Sequence, residues 1–271
     1  MLFDKKSIEL RCLILDMVKS HGRGHVGSAL SLVELIRVLY NDIANISLDN
    51  LDDPKRDRII LSKGHGCLAL YAVLIDIGII PNSEISLFCN PKGILGGHPE
   101  RDKVPGIEAS TGSLGHGFSI GVGMALASIK LKLNNSIYII VGDGELNEGS
   151  NWEAALSASK NKLGNLTLIV DYNKMQSYGS LDDVINPYPL LDKFKSFGFE
   201  VSEFDGHKID DIKSKLIKRN FDFEKPKLFL SHSIKGKGIK SAENNPEWHH
   251  KSNLDPATIE LLKKELKDSL I

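Results

Sequence analysis

An aspartate between two glycines, Gly142-Asp143-Gly144, closes an apolar run at 137–141, and an asparagine, Asn173, follows the end of the next such run, at 166–170. The interval of 30 residues (173 − 143) suits one helix and one strand joining two neighbouring strand ends. Both side chains are therefore expected at the carboxyl edge of a sheet, where open α/β folds bind ligands. A carboxylate, an amide oxygen and a backbone carbonyl, completed by phosphate oxygens, make the hard oxygen shell that Mg²⁺ or Ca²⁺ prefers. Gly142 and Gly144 let the backbone come close, and amides at the next helix start can receive anionic oxygens. A lone Gly-Asp-Gly is otherwise a turn, and a lone Asn a helix cap. The strand, loop, helix and strand around them favour a ligand site.

Nine histidines include a second set with chemical potential. His25, His65 and His98 sit among glycines, in Gly24-His25-Val26-Gly27, Gly64-His65-Gly66 and Gly96-Gly97-His98, and His249 stands in Trp248-His249-His250. Imidazoles flanked by glycine make poor core residues. They suit a pocket in which ring nitrogens meet hydroxyl, carbonyl or phosphate oxygens. Taken singly, each is also readable as a solvated loop residue.

The elements that must position these groups follow from hydrophobic periodicity. Short apolar runs predict buried strands at 58–61, 137–141 and 166–170, and helical spacing predicts helices at 5–19, 28–40, 67–77, 118–131 and 152–160. The alternation continues with helix 189–197, strand 199–204, helix 209–219, strand 227–231 and helix 256–268. The fold class this implies is α/β, a mostly parallel sheet with helices on both faces, and 271 residues favour one domain spanning 1–271. Lys+Arg 34 against Asp+Glu 35 supplies neither a footprint for nucleic acid nor a polybasic membrane anchor. An anionic ligand must then be held by local geometry. Cys12, Cys67 and Cys89 lack CxxC spacing, and the sequence shows neither an apolar leader nor a run long enough to cross a bilayer, so a reduced cytoplasmic protein is expected.

LSKGHGCLALYAVL at 61–74, GGHPE at 96–100, TGSLGHG at 111–117 and GDGELNEGSNWEAA at 142–155, preceded by His25, occur in the order and spacing of transketolases. Over nearly its whole length the chain resembles the diphosphate-binding part of that family. The resemblance implies a thiamine diphosphate-binding fold holding thiamine diphosphate and Mg²⁺ (or Ca²⁺). It implies Asp143, Asn173 and the carbonyl of Met175 as metal ligands, with Gly144 and Asn173 at the diphosphate. His65 and His249 would contact the diphosphate, and Gly112, Ser113 and Leu114 would line the cofactor's ring region. His25 and His98 would face the sugar and, with His65 and His249, orient it and relay protons. Glu148 and Glu153 match acids that the family places near its subunit interface, in a carboxylate chain connecting two active sites. Alone, they read as ordinary acids at a helix start. Val26, His116 and His250 depart from the family's Pro, Gln and Gly without removing an expected ligand, although His250 would narrow the phosphate entrance. The loop at 234–238, continuing to 243–248, also matches, and its lysines read equally as solvated.

A complete transketolase is much longer, with its activating carboxylate in a pyrimidine-binding domain that has no counterpart in this sequence. The resemblance therefore implies a split enzyme, a heterotetramer of two such chains with two copies of a C-terminal transketolase subunit. That partner would supply the activating Glu and phosphate-gripping Arg residues. The expected transferase moves a two-carbon ketol unit from a ketose phosphate to an aldose phosphate, the chemistry of pentose phosphate interconversion, and the set of histidines suits polyhydroxylated sugar phosphates. Related alternatives are the α subunit of a 2-oxo acid dehydrogenase, which lacks these Gly-His phrases, and deoxyxylulose phosphate synthase, whose halves share a chain. A non-catalytic cofactor-binding regulatory subunit is the alternative from another class.

Overall fold

Four segments rich in Ile, Leu and Val, and a fifth, more polar one at the edge, pair in parallel into one sheet, in the order β1 (Arg58–Leu61), β2 (Ile137–Gly142), β3 (Leu166–Tyr172), β5 (Lys227–His232) and β4 (Glu200–Asp205). The computed structural model describes residues 3–177, 179–217 and 224–268. Period-two alternation sends neighbouring side chains to opposite faces. Ile59, Leu61, Ile140, Ile169 and Phe229 enter one hydrophobic core, while Ile60, Ile139, Val141, Leu168, Val170 and Leu228 enter the other. Because every strand points the same way, Leu61, Gly142, Tyr172 and His232 end at a common edge.

The first core is covered by α1 (Lys5–Lys19), α2 (Val26–Leu30), α3 (Val33–Val38) and α4 (Cys67–Asp76). Over the second core lie α5 (Gly117–Leu131), α6 (Gly149–Lys160) and α7 (Leu190–Ser196). Residues of α8 (Ile209–Ile217) and α9 (Pro256–Asp268) return to the first core. Helix α4 is apolar all round and buried from Cys67 to Ile75, as expected of a helix enclosed by protein. Among the described residues, no helix is long and apolar enough to cross a membrane.

The helix expected over 28–40 is instead α2, α3 and a π-helical turn at Leu39–Ile43. Ser31 stands at the first break, where its hydroxyl donates to the Ser28 carbonyl at 3.1 Å and to Asp171 at 2.7 Å. A buried hydroxyl engaged with both backbone and a distant carboxylate competes with helix continuation. Helix α6 starts at Gly149, three residues before the expected start at Trp152, and β4 runs one residue later than expected. The expected helix at 209–219 is described to Ile217, and its last two positions lie outside the described residues.

Helix α5 approaches β2 at Gly121, where an added Cβ would fall 2.5 Å from Ile139 Cγ1. Gly121→Val is expected to destabilise the chain by about 1–3 kcal/mol through overpacking. On the exposed side of the same helix, a Cβ at Gly123 meets nothing within 4 Å. Gly123→Ala should therefore stabilise by about 0.5–1 kcal/mol through helix propensity. Urea unfolding of the two variants checks this, and shifts of the same sign would contradict the packing.

Candidate functional site

The sheet's carboxyl edge opens into a cleft with about 430 Å³ of empty space, lined by Asp143, Gly144, Asn173, Met175, His65 and His249, with Ser28, Lys63, Leu114 and Lys235 beside them. The Asp143 carboxylate, at the end of β2, accepts the Gly144 N–H at 2.8 Å and the Lys174 N–H at 2.5 Å. Asp143 thereby ties the β3 loop to the β2 loop. Asn173 Oδ1 accepts the Met175 N–H at 3.0 Å, while its amide nitrogen donates to Asp171 at 3.1 Å. Burial, reinforced by the nearby Asp171 charge, pushes Asp143 up from 3.8 to about 7.

Asp171 is fully buried, yet its carboxyl lies below the ordinary value. Burial alone would raise it, but the Lys63 ammonium at 2.5 Å outweighs that. Ser31, Ser233 and Asn173 also donate to it. Glu145, pushed upward by burial, gathers a second set of donors: Ser62 Oγ at 2.5 Å, Gly115 N at 2.9 Å and Gly142 N at 3.1 Å. It thereby fastens the 111–117 loop to β1 and β2. Gly112, at φ +148°, lies so close to His98 that a Cβ would sit 2.8 Å from the ring. Ser113, between Gly112 and the cleft-lining Leu114, is exposed.

The four singled-out histidines converge from remote parts of the chain. The His25 ring centroid lies 5.5 Å from His65, 5.9 Å from His98, 5.3 Å from His249 and 4.7 Å from His250. Reciprocal backbone bonds between Gly24 and Lys251, at 2.9 and 3.0 Å, bring the segment at 249–251 beside His25. Thr111 holds the other wall by donating to the Leu61 carbonyl at 2.7 Å, and Tyr71 donates to the His98 carbonyl at 3.0 Å. Burial and then His250 lower His25 to about 4, and burial and then Lys235 lower His249 to about 3. Burial, followed by the Lys63 charge, holds His65 well below 6.5, and burial lowers His98. The rings are neutral at pH 7, so each offers one donor and one acceptor to a polyhydroxylated ligand.

Glu148 and Glu153 do not join this cluster. Both are exposed at the start of α6, where Glu148 packs against Gly115. Lys235, read from sequence as equally a solvated lysine, is buried, donates to His249 Nδ1 at 2.9 Å, and is lowered to about 8 by burial and then by Lys63. The sequence alone points to no role for Lys63, Asp171, Glu145 or Ser28. Asp171 carried a legible signal, a carboxylate directly after a five-residue apolar run, and Lys63 stood within the Gly-His phrase.

The donor set suits an anionic ligand held with a divalent cation. Among the described residues, Asp143 is a buried carboxylate without an ion-pair partner, Lys235 is a buried cation, and Ser28 Oγ is buried at the cleft with no protein hydrogen-bond partner. Among the same residues, no three His, Cys, Asp or Glu side chains come together as a metal cage. A cation here would need amide, carbonyl and ligand oxygens to complete its shell.

The transketolase, thiamine diphosphate binding domain model matches residues 4–268. One relative, an apulose-4-phosphate transketolase subunit from Actinobacillus succinogenes, is 41% identical over 97% of this chain and 94% of its own length. The 6-deoxy-6-sulfo-D-fructose transketolase subunit of a Clostridium species is 41% identical over 89% of this chain and 88% of its own. The structure of transketolase from Leishmania mexicana superposes with a TM-score of 0.89 at 27% identity, covering 97% of this chain and 41% of that one.

Neutral burial of these imidazoles has a pH signature. His25 and His249 titrate near 6.5 when unfolded but near 4 and 3 when folded, so the unfolded chain binds protons first. Their contribution to stability is fully present above about 6.5 and is lost as pH falls through about 4 for His25 and about 3 for His249. The thermal midpoint of the ligand-free chain is expected to drop across that window, and His249→Gln should flatten the drop. An unchanged slope in the variant would count against this arrangement.

Proposed function

The chain belongs to the transketolase thiamine diphosphate-binding domain family, and from that premise we propose that it is the diphosphate-side subunit of a two-chain transketolase. In this reading it transfers a two-carbon ketol unit from a ketose phosphate to an aldose phosphate, together with a C-terminal, pyrimidine-binding subunit. The observation that carries the proposal is the meeting of Asp143 and the 173–175 loop with His65, His249 and Lys235 in one cleft at the sheet's carboxyl edge. Relatives named as transketolase subunits, spanned over most of their length, support the two-chain organisation.

We assign Asp143, Asn173 and the Met175 carbonyl to Mg²⁺ (or Ca²⁺), and Gly144, His65, His249 and Asn173 to the diphosphate. Gly112, Ser113 and Leu114 are assigned to the ring side of the cofactor. Thiamine diphosphate, when bound, supplies the carbon nucleophile and the electron sink for ketol transfer. This chain's own part is to bind, orient and move protons. Lys235 and the cation balance the phosphate charge. Asp171 holds the Asn173 amide by its nitrogen, which fixes the direction of its oxygen. His25 and His98, neutral rings 5.9 Å apart, hold sugar hydroxyls and exchange protons with them.

Glu148, just before α6, and Glu153, on it, are exposed and fit the contact with a second copy of the chain within a heterotetramer. Three free cysteines suit a reducing, cytoplasmic setting.

The test is thiamine diphosphate-dependent ketol transfer from xylulose 5-phosphate to ribose 5-phosphate, and from a panel of other ketose phosphates, by the chain alone and mixed with its candidate partner. Activity only in the mixture is expected, and activity of the carefully purified chain alone would overturn the two-chain reading. Asp143→Ala should abolish Mg²⁺-dependent cofactor binding and lower activity of the assembled enzyme by at least about 100-fold. Unchanged activity would make the chain a scaffold.

A further inference from the structure

Behind the loop that carries Lys235 lies a buried ionic cluster that the proposed chemistry does not use. Arg11 on α1 and Glu34 on α3 form a two-pronged pair at 2.5 and 2.9 Å, with side chains 0% and 1% exposed. Burial would raise Glu34, but Arg11 and His207 hold its carboxyl down at about 2. His207, in the turn after β4, completes the cluster. Its Nδ1 stands 3.0 Å from Glu34 Oε2, and its Nε2 accepts the Ile234 backbone N–H at 2.9 Å. A backbone N–H only donates, so Nε2 carries no proton and Nδ1–H points at Glu34.

On the other side of Lys235, Arg11 Nε donates to the Lys237 carbonyl at 3.0 Å. The backbone is thus held at 234 and at 237. Between these anchors, Lys235 Nζ donates to the Gln176 carbonyl at 3.2 Å and to His249 Nδ1 at 2.9 Å. An ammonium has no lone pair, so His249 Nδ1 must accept and Nε2 must carry the ring proton. That Nε2 lies 3.2 Å from Ser177 Oγ, at the cleft.

We infer that His207 is a positioning residue which, through Ile234 and Lys235, fixes the tautomer and aim of His249, with the Arg11–Glu34 pair as its rigid backing. The donor that His249 offers an anionic ligand is set by a histidine that does not line the cleft. Only the ligand part of this inference rests on the cofactor reading; the tautomer part stands on the protein alone.

Two similar-sized substitutions separate the contacts. His207→Gln places an oxygen near the position of Nε2 and keeps an acceptor for Ile234. His207→Asn keeps a donor towards Glu34 and leaves the Ile234 N–H unpaired. Nitrogen-15 NMR of the histidine-labelled full chain is expected to show His249 protonated at Nε2 in the unaltered protein and in the Gln variant, and as a mixture of tautomers in the Asn variant. Thiamine diphosphate titrated with Mg²⁺ into the assembled enzyme should bind about tenfold more weakly to the Asn variant and within about twofold of normal to the Gln variant. Equal behaviour of the two variants, or Nδ1 protonation of His249 in the unaltered chain, would overturn the inference. Should the Asn variant not fold, Lys235→Met decides: the inference requires loss of the Nε2 preference. Failure of the unaltered enzyme to bind thiamine diphosphate would sink the cofactor reading and leave the tautomer measurement as sole judge.

Discussion

A carboxylate removed from water holds the four edges of this site in register. Asp171, at the end of β3, is paired with Lys63 from the segment after β1 and accepts hydroxyls from Ser31, between α2 and α3, and Ser233, after β5. Stripping either charge of its partner would leave an unpaired ion in the interior, a loss of about 3–5 kcal/mol. The pair therefore fixes β1 and β3 laterally across β2, and everything that faces the cleft is referenced to it. Asn173 is one such dependent. Its amide nitrogen is engaged by Asp171, so its oxygen is left for Met175 and the cleft.

The loops around that centre are fastened to one another by polar contacts, while Val26 and Trp248 beside them sit in the apolar core. Glu145 gathers Ser62, Gly115 and Gly142, so the segment with Leu114 cannot slide relative to the strand ends. The Gly24–Lys251 bridge does the same for His25 and His249, which lie more than 200 residues apart in sequence (249 − 25 = 224). Preorganisation of this kind reduces the ordering that a ligand must impose. It also explains the concentration of glycine near the site, because Gly112 can press against His98 only without a Cβ.

Charge in the cleft is arranged by sign and by protonation state. Two lysines stand among imidazoles that burial keeps neutral, while Asp143 is left with a raised titration point and, among the described residues, no ion-pair partner. In the proposed function, a ligand carrying negative charge together with a divalent cation would answer both demands: the anion would meet Lys235 and the imidazole donors, and the cation would restore full ionisation to Asp143. The neutral rings remain amphoteric, which is what hydroxyl recognition and proton exchange require.

The parallel α/β architecture was legible from the order of residues alone, because strands buried on both faces must be apolar and the alternation with helices leaves few arrangements. So were the strand-end placement of Asp143 and Asn173 and the distinctness of the Gly-flanked histidines, since those are local features of spacing and residue type. The breaks at Ser31 and Leu39 were not legible, because apolar periodicity continues through them and the interrupting contact, Ser31 to Asp171, spans 140 residues. For the same reason the sequence left Lys235 undecided and pointed to no role for Asp171, Glu145 or His207. A buried charge is distinguished from a solvated one by its partners, and those partners arrive from other elements. Folding settled which lysines are enclosed, which nitrogen of His249 carries the proton, and which carboxylate braces the site, because each is fixed by pairing energies across elements rather than by anything within one segment.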